Sequence, residues 1–569
     1  MRHHAVWPKR LPHAINPPAM PLWDNLAISA KRYPDKDALV FFGSTISYRQ
    51  LLQQTEQLAA YLQGLGVQKG DRVVLNMQNC PQLVIAHFAI LRANAVVVPV
   101  NPMNRAEELK HYITDPDAVV ALTTADLAAD LAAASNSLAA SGQPSLKHLI
   151  VTHFTDTFDE AVQGPEAPPA GWHDWLLTRH DLPAMQGAQV HTWTQALACN
   201  TAPGPLTTGP QDLAVLPYTS GTTGLPKGCM HTHRSIMHNA VSSGMWGNST
   251  AENITLAAVP MFHITGMVSM MHASIALGAS LVVMPRWDRD LAGRLISKRR
   301  ITHWTNIPTM VIDLLGSPNF ESYDLSSIVY IGGGGAAMPQ AVAQRLLEQY
   351  GLRYVEGYGL TETAAPSHTN PPDAAKQQCL GIPFMSTDAR VVDPETLQEV
   401  PVGEQGEIVV CGPEVFQGYW KRPDATEQAF FELDGKRFFR TGDLGRVDEE
   451  GYFFLTDRLK RMINASGFKV WPAEVEALMF RHPAIVEACV IATKDSYRGE
   501  SVKAVVVLRP AFVGQVSEAD IVAWCRENMA VYKVPRVVQF VDALPKSGSD
   551  KVMWRALQEA EVGEVASAP

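Results

Sequence analysis

Apolar positions in this chain follow two periods that take turns. Short all-apolar runs such as DRVVLNM and AVVVPVNP read as buried strands. RQLLQQTEQLAAYLQGLG and LVIAHFAILRAN are apolar at helical spacing, and the first ends in glycines, so both read as helices. The pattern becomes regular at Pro21, with a helix near LWDNLAISAKRY and a hairpin around ALVFFGSTISY, and it continues through HYITDPDAVVALTT. It resumes in SLVVMP, ITHWTNIPTMVIDLL and SSIVYIGGGG. Strand and helix in alternation predict parallel sheets covered by helices, an α/β fold. Residues 125–210 interrupt it: they are rich in Ala, Pro, Gly and Ser, and read as a helix and a long surface excursion in which only HLIVTHF resembles a strand.

Toward the C-terminus the pattern changes twice. From about Ser386 short β runs dominate (ARVVD, GEIVVCG, FRTGDLGRVD, GYFFLT), which predicts a β-rich subdomain over about 386–456. From Asp457 a separate β/α alternation (EVEALMFRH, IVEACVIAT, SVKAVVVLRP, DIVAWCRENM, VVQFVDAL) predicts a small C-terminal α/β domain over 457–569. The predicted organisation is an arm over 1–20, a large domain over 21–456 and the small domain. A length of 569 residues fits, being too great for one core at roughly 100–200 residues per domain.

Composition narrows the function classes. The net charge is −10 and no Lys/Arg block stands out, so nucleic acid is not an expected partner. Seven scattered cysteines without a C-x-x-C pair predict a reducing, cytoplasmic setting and no structural zinc. The first residues, MRHHAVWPKRLPHAINPP, lack the apolar core of a secretory signal. Between Glu252 and Arg286 no residue is charged, a run long enough to span a bilayer. Pro260, His263, Gly266, His272 and Gly278 interrupt it, and it divides into strand ITLAAV, turn PMFH, helix GMVSMMHASIAL and strand SLVVM of a buried α/β core. No transmembrane segment is expected.

The chemistry concentrates first at Tyr218 to Gly228, YTSGTTGLPKG. Thr219, Ser220, Thr222 and Thr223 supply hydroxyls, the glycines at 221, 224 and 228 bare amides, and Lys227 a cation. Together they suit a polyphosphate. The spacing is not that of a Walker A loop, and a flexible surface loop is the plain alternative. In IVYI-GGGGAAM-PQAVAQRLLEQYG-LRYVE, Gly332, Gly334 and Ala337 fit G-x-G-x-x-G/A, and Glu356 closes the next strand. That is compatible with a dinucleotide site, which keeps a nicotinamide-dependent oxidoreductase open. Pro339 suits the first helical turn there and Gly351 the helix end. Equally, the glycines let backbone lie flat against an adenine ring or a thin acyl chain.

Three further stretches each have a plain reading and a chemical one. In YGLTET, Tyr358 offers a ring to stack, Thr361 a hydroxyl and Glu362 a carboxylate for Mg²⁺; the plain reading is a helix start. In FRTGD, Asp443 is a turn residue or a bidentate acceptor for a sugar. The basic stretch DRLKRMINASGFKVWPAEVE and the tail segment LPKSGSDK read plainly as solvated surface.

Taken together and in order, these motifs resemble the adenylate-forming enzymes: acyl-CoA synthetases, peptide-synthetase adenylation domains and beetle luciferases. The resemblance covers about residues 20–560. It implies that 21–456 is an AMP-binding and acyl-binding domain and that the C-terminal domain is mobile. It implies phosphate gripping by Thr219, Ser220, Gly221, Thr222, Thr223, Gly224 and Lys227, and an adenine and acyl pocket lined by Gly334, Gly335 and Ala336. Around the nucleotide it places Glu356, Gly357 and Gly359, with Tyr358 on adenine, Thr361 on the α-phosphate, Glu362 on Mg²⁺ and Asp443 on both ribose hydroxyls. Arg458 would contact ribose or phosphate, Lys460 would be the hinge, and Gly467 and Lys469 would belong to the cofactor-binding face, with Gly467 beside the pantetheine arm of CoA. Lys551 would reach the carboxylate and α-phosphate during adenylation. The usual glycine before that lysine is Asp550 here, which puts the adenylation rate in question.

The implied reaction joins a carboxylic acid to CoA with MgATP, through acyl-AMP and with release of pyrophosphate. His263 falls where the family places the carboxylate, and Met267, Met270 and Met271 follow it. A Met wall suits a flexible alkyl chain, while core packing explains each methionine equally well. The look is closest to medium- and long-chain fatty acid–CoA ligases. Short, branched, aromatic or sulfur-containing acids stay open, as do a homodimer, peripheral membrane contact and a nucleotide-binding protein inactivated by Asp550. A peptide-synthetase role is disfavoured because no carrier domain follows.

Overall fold

The computed structural model describes residues 2–220, 225–335, 337–458, 463–465, 468–470, 472–495, 499–545, 552 and 554–567. The chain divides into two compact units. Met1–Pro102, Tyr112–Tyr218 and Gly228–Asp457 form one; Met103–His111, Thr219–Lys227 and Arg458–Pro569 form the other.

The first unit holds the expected helix-covered sheets. Among the described residues one sheet has nine strands and another seven. The interior pairs are parallel: in the larger sheet Ile254–Ala257, His303–Asn306, Tyr330–Gly333 and Tyr354–Leu360 follow one another side by side. The strands Ala365–Thr369 and Ile382–Pro383 extend that sheet antiparallel. Parallel strands covered on both faces must be apolar throughout, and Val73, Val74, Val97, Val98, Leu122 and Leu281 are all buried. Helix starts obey local chemistry: before Tyr48–Gly64, the Ser47 hydroxyl accepts from Gln50 N, and Gln50 Oε1 accepts from Ser47 N.

The uncharged stretch after Glu252 is indeed strand, helix and strand, with Gly278 ending the helix at φ 77°. No helix among the described residues is long and apolar enough to cross a membrane. One detail departs from the expected α-helix: Gly266–His272 is a π-helix, and only Ala273–Leu277 is α. Pro339 also differs, standing just outside the helix Gln340–Tyr350 rather than in its first turn, while Gly351 caps the end at φ 66°.

The excursion over 125–210 is more ordered than its composition indicates. It contributes the strand Gln189–Thr192, which pairs in parallel with His148–Thr152 at a sheet edge. QVHT is too polar and too short to stand out as a strand. Phe154, Phe158, Leu176 and Trp193 from this segment enter the main core. The N-terminal arm is also held down: Trp7 and Leu11 are buried, Trp7 meets Trp246 edge-on at 5.3 Å, and Arg10 donates to the Met245 and Trp246 carbonyls at 2.7 Å each.

Antiparallel strands Asp388–Val392, Gly406–Cys411, Lys436–Val447 and Phe430–Leu433 form the β-rich part of the first unit, with Phe453–Arg458 beside Lys436–Val447. The second unit has its own sheet, in which the long pair Ile485–Asp495 and Gly499–Leu508 is antiparallel. Val470, Val475, Met479, Val490, Ala504, Ile521 and Met529 fill its core. Lys503 is buried there with Glu561 as its ion partner.

Candidate active site

The glycine-rich turn follows the strand Tyr330–Gly333, whose neighbours are His303–Asn306 and Tyr354–Leu360. A Cβ on Gly332, Gly333 or Gly334 would strike the carbonyl of Val355, Asn306 or Gly357. The run is glycine at those positions because backbone occupies the side-chain space. On the side where a Cβ would lie, these three glycines meet protein backbone. Gly335 lies at φ 86° with open space beyond it. Ala336 lies outside the described residues.

At the end of the next strand, the buried Glu356 accepts from Gln378 N at 3.2 Å, and burial pushes its pKa up to about 7. Two residues on, the Tyr358 hydroxyl donates to Asp443 Oδ2 at 2.6 Å, so one residue of the parallel sheet meets one of the antiparallel sheet. Both are buried. Asp443 is preset by its surroundings: its own N–H donates to Thr441 Oγ1 at 3.1 Å, and Gly442 N donates to Glu407 Oε1 at 3.0 Å. Gly357 and Gly359 lie in the same strand, where it pairs with Ala365–Thr369.

Thr361–Thr363 form a single 3-10 turn. Four groups remote in sequence hold it. His231 Nε2 donates to Thr361 O at 2.7 Å, Phe416 N donates to Glu362 O at 2.8 Å, and the Tyr419 hydroxyl donates to Glu362 Oε1 at 2.8 Å. Asn239 Nδ2 lies within 3.1 Å of the carbonyls of Thr363, Ala364 and Pro366. Burial pushes His231 down to about 4, so it is neutral and carries its proton on Nε2, facing a carbonyl that only accepts. The turn needs this support: Ala364 and Ala365 follow it at φ 50° and 83°, each a left-handed conformation costing about 1–3 kcal/mol.

Thr219 and Lys227 lie on two short paired strands, Tyr218–Ser220 and Pro226–Gly228, that form a hairpin stem. Gly221, Thr222, Thr223 and Gly224 lie outside the described residues, as does the Ser220 side chain. Tyr218 at the start of the stem donates to Asp115 Oδ2 at 2.7 Å, and Asp115 pairs with Arg422 at 2.9 Å. His263 is exposed in the turn before the π-helix, its ring 4.5 Å from Phe262. Met267, Met270 and Met271 are completely buried in the main core. Arg458 ends the strand Phe453–Arg458 and Lys469 lies in Phe468–Val470. Lys460, Gly467, Asp550 and Lys551 lie outside the described residues.

Among the described residues no three His, Cys, Asp or Glu side chains gather to hold a metal. In an ATP site Mg²⁺ is held through one or two carboxylates and the phosphates themselves. Glu362, with one oxygen engaged by Tyr419, fits such a role. Sequence reasoning missed His231, Asn239 and Tyr419. Their sequence signal was weak: the helix His233–Trp246 that carries Asn239 also buries His233, Ser235, His238 and Ser242.

A model of the AMP-binding enzyme family matches residues 26–420, and one of the AMP-binding enzyme C-terminal domain matches 474–551. The chain belongs to the AMP-binding enzyme family. A Long-chain-fatty-acid--CoA ligase from Bacillus subtilis (strain 168) is 36% identical over 98% of this chain and 97% of its own. A Feruloyl-CoA synthase from Amycolatopsis sp is 34% identical over 92% of this chain and 96% of its own. Among solved structures, a long-chain-fatty-acid-CoA ligase from Archaeoglobus fulgidus superposes with a TM-score of 0.73 at 25% identity, covering 93% of this chain and 98% of that one. An o-succinylbenzoate CoA synthetase from Bacillus subtilis gives 0.75 at 26% identity, covering 95% and 98%. The likenesses are to AMP-binding enzymes and CoA ligases, which disfavours the nicotinamide reading of Gly332–Glu356.

Proposed function

We propose that this AMP-binding enzyme is an ATP-dependent acid–CoA ligase whose acid is a medium- or long-chain fatty acid. The observation that carries the substrate class is the full-length likeness to long-chain-fatty-acid–CoA ligases. The feruloyl-CoA synthase at nearly the same identity keeps an aromatic acid as the second reading.

In this reading Tyr358 stacks on adenine, Asp443 accepts from the ribose hydroxyls, and Glu356, Gly357, Gly359 and the turn Gly334–Ala336 surround the nucleotide. The hairpin over 218–228 presents amides, hydroxyls and Lys227 to the phosphates. Mg²⁺ held at Glu362 would neutralise phosphate charge. Thr361 donates to the α-phosphate, and Lys551 offsets the charge that grows as the carboxylate attacks the α-phosphorus. His263 lies near the carboxylate. Pyrophosphate leaves and acyl-AMP remains. The small domain then turns about Lys460, and the face with Arg458, Gly467 and Lys469 receives CoA, whose thiol displaces AMP. The hydrogen bonds that preset Asp443 and Glu362 support this assignment. Seven cysteines without a disulfide agree with a cytoplasmic location. A homodimer and peripheral contact with a membrane that delivers the acid complete the reading.

The test is pyrophosphate release with MgATP and straight-chain acids from short to long, with ferulic acid in parallel, each with and without CoA. A CoA-stimulated maximum at medium or long chains is expected. A maximum with the aromatic acid would replace the fatty-acid reading.

A further inference from the structure

Tyr419 touches both the turn that carries Glu362 and the strand that leaves the phosphate hairpin. Its hydroxyl donates to Glu362 Oε1 at 2.8 Å. Its backbone forms an antiparallel bridge with Cys229, and the flanking residues extend that contact: Met230 N donates to Gly418 O at 3.0 Å, and Trp420 N donates to Gly228 O at 2.8 Å. Tyr419 N donates to Thr426 Oγ1 at 2.9 Å. The ring lies 4.8 Å from that of Phe416, whose own N–H holds the Glu362 carbonyl. Every end of this tyrosine is tied to something, so its hydroxyl is a donor fixed in place.

The chemistry of the pair is one-sided. An ordinary phenol holds its proton near neutral pH, and a carboxylate only accepts. The hydroxyl keeps its proton and always donates. A carboxylate has two oxygens and free rotation about its last bond. A donor on Oε1 fixes the carboxylate plane and leaves Oε2 as the oxygen for a cation. Six-coordinate Mg²⁺ tolerates little error in ligand direction, so a preset carboxylate binds it better than a rotating one.

Resting on the reading of Glu362 as the metal carboxylate, we propose that Tyr419 is a positioning residue for the metal: it aims Glu362 and links that carboxylate to the strand leaving the phosphate hairpin. Tyr419 does not touch the reacting atoms in this scheme and acts through Glu362 alone.

Tyr419→Phe removes one oxygen and keeps the ring. The probe is Mn²⁺ with the non-cleavable analogue α,β-methylene-ATP, free Mn²⁺ being read by electron paramagnetic resonance on the whole enzyme. Loss of a hydrogen bond to a charged group predicts about tenfold weaker Mn²⁺ binding in the enzyme–nucleotide complex. Binding of the analogue in EDTA should be unchanged. Glu362→Gln tests the underlying reading separately. If Glu362→Gln leaves Mn²⁺ affinity intact, Glu362 is not the metal carboxylate and the inference falls with it. If Glu362→Gln weakens Mn²⁺ and Tyr419→Phe does not, the inference alone is overturned. The double variant guards against a general loosening of the fold. Adding Tyr419→Phe to Glu362→Gln should weaken Mn²⁺ no further, whereas an equal loss in both backgrounds would show that the tyrosine does not act through Glu362.

Discussion

The hydroxyl of Tyr358 donates to the carboxylate of Asp443 across 2.6 Å, joining the end of a parallel sheet to a hairpin of an antiparallel one. The two residues assigned to opposite ends of the nucleoside, base and ribose, are thus positioned by one bond. Tyr358→Phe keeps the stacking surface and frees Asp443. We expect the KM for ATP to rise about tenfold with kcat nearly kept. Asp443→Asn should raise KM further, since the amide donates where the ribose hydroxyls need an acceptor. Steady-state pyrophosphate release at varied ATP measures both.

Asn239 is the support of the strained turn. It is fully buried, and three carbonyls depend on its amide. Asn239→Ala leaves those carbonyls in an apolar setting and removes the brace on Ala364 and Ala365. A loss of about 2–4 kcal/mol and a lower melting temperature are expected. Because the turn carries Thr361 and Glu362, kcat should fall more than the KM for ATP rises. Unchanged kinetics in a destabilised protein would show that the turn keeps its shape unaided.

Stability should respond to pH in two opposed windows. Burial pushes His231, His233 and His238 down to about 4 and His87 and His368 to about 3. Their folded pKa values lie below the unfolded one, so the stability they carry is complete above about pH 6.5 and is lost as pH falls through the folded values. Glu414 has the opposite sign. It is fully buried, one carboxyl oxygen accepts from Thr387 at 2.8 Å, the other has no hydrogen-bond partner among the described residues, and its pKa is pushed up to about 7. Its contribution is complete below about pH 4.5 and is lost as pH rises through about 7. Glu414→Gln should therefore raise the melting temperature at about pH 8 and leave it nearly unchanged at about pH 5.

Much of this architecture was legible in the sequence because its cause is local. Apolar runs and helical spacing mark the parallel sheets, and Tyr358, Glu362 and Asp443 stood out within compact polar motifs. What escaped depends on partners far along the chain. His231 meets Thr361 and Asn239 meets Ala364 across more than a hundred residues. Nothing beside Tyr419 in the sequence points to a carboxylate at 362. The strand Gln189–Thr192 escaped because an edge position tolerates polar residues. The packed N-terminal arm was hidden by its prolines and histidines, although Trp7 and Leu11 carry it. The glycines at 332–334 were read for what might lie against them, and the reason visible only in the fold is that neighbouring strands fill their Cβ side.

The last prediction concerns Asp550 and Lys551. Lys551→Ala should abolish pyrophosphate release yet leave thioester formation from supplied acyl-AMP and CoA largely intact, because the lysine serves only the first half-reaction in the proposed scheme. Asp550→Gly should speed adenylation several-fold by removing a negative charge beside that cation. Rapid-quench measurement of acyl-AMP separates the two steps, and an unchanged rate for Asp550→Gly would show that the carboxylate points away.

The π-helix at Gly266–His272 holds spare length. A π turn closes i→i+5 bonds and so holds more residues than an α turn. Between the exposed His263 and the α-helix Ala273–Leu277 the chain thus contains slack that the surrounding core has absorbed. Segments with slack change length without unfolding their neighbours. Gain or loss of a single residue here is therefore expected to be taken up within the segment, a coarser change beside His263 than a substitution would be.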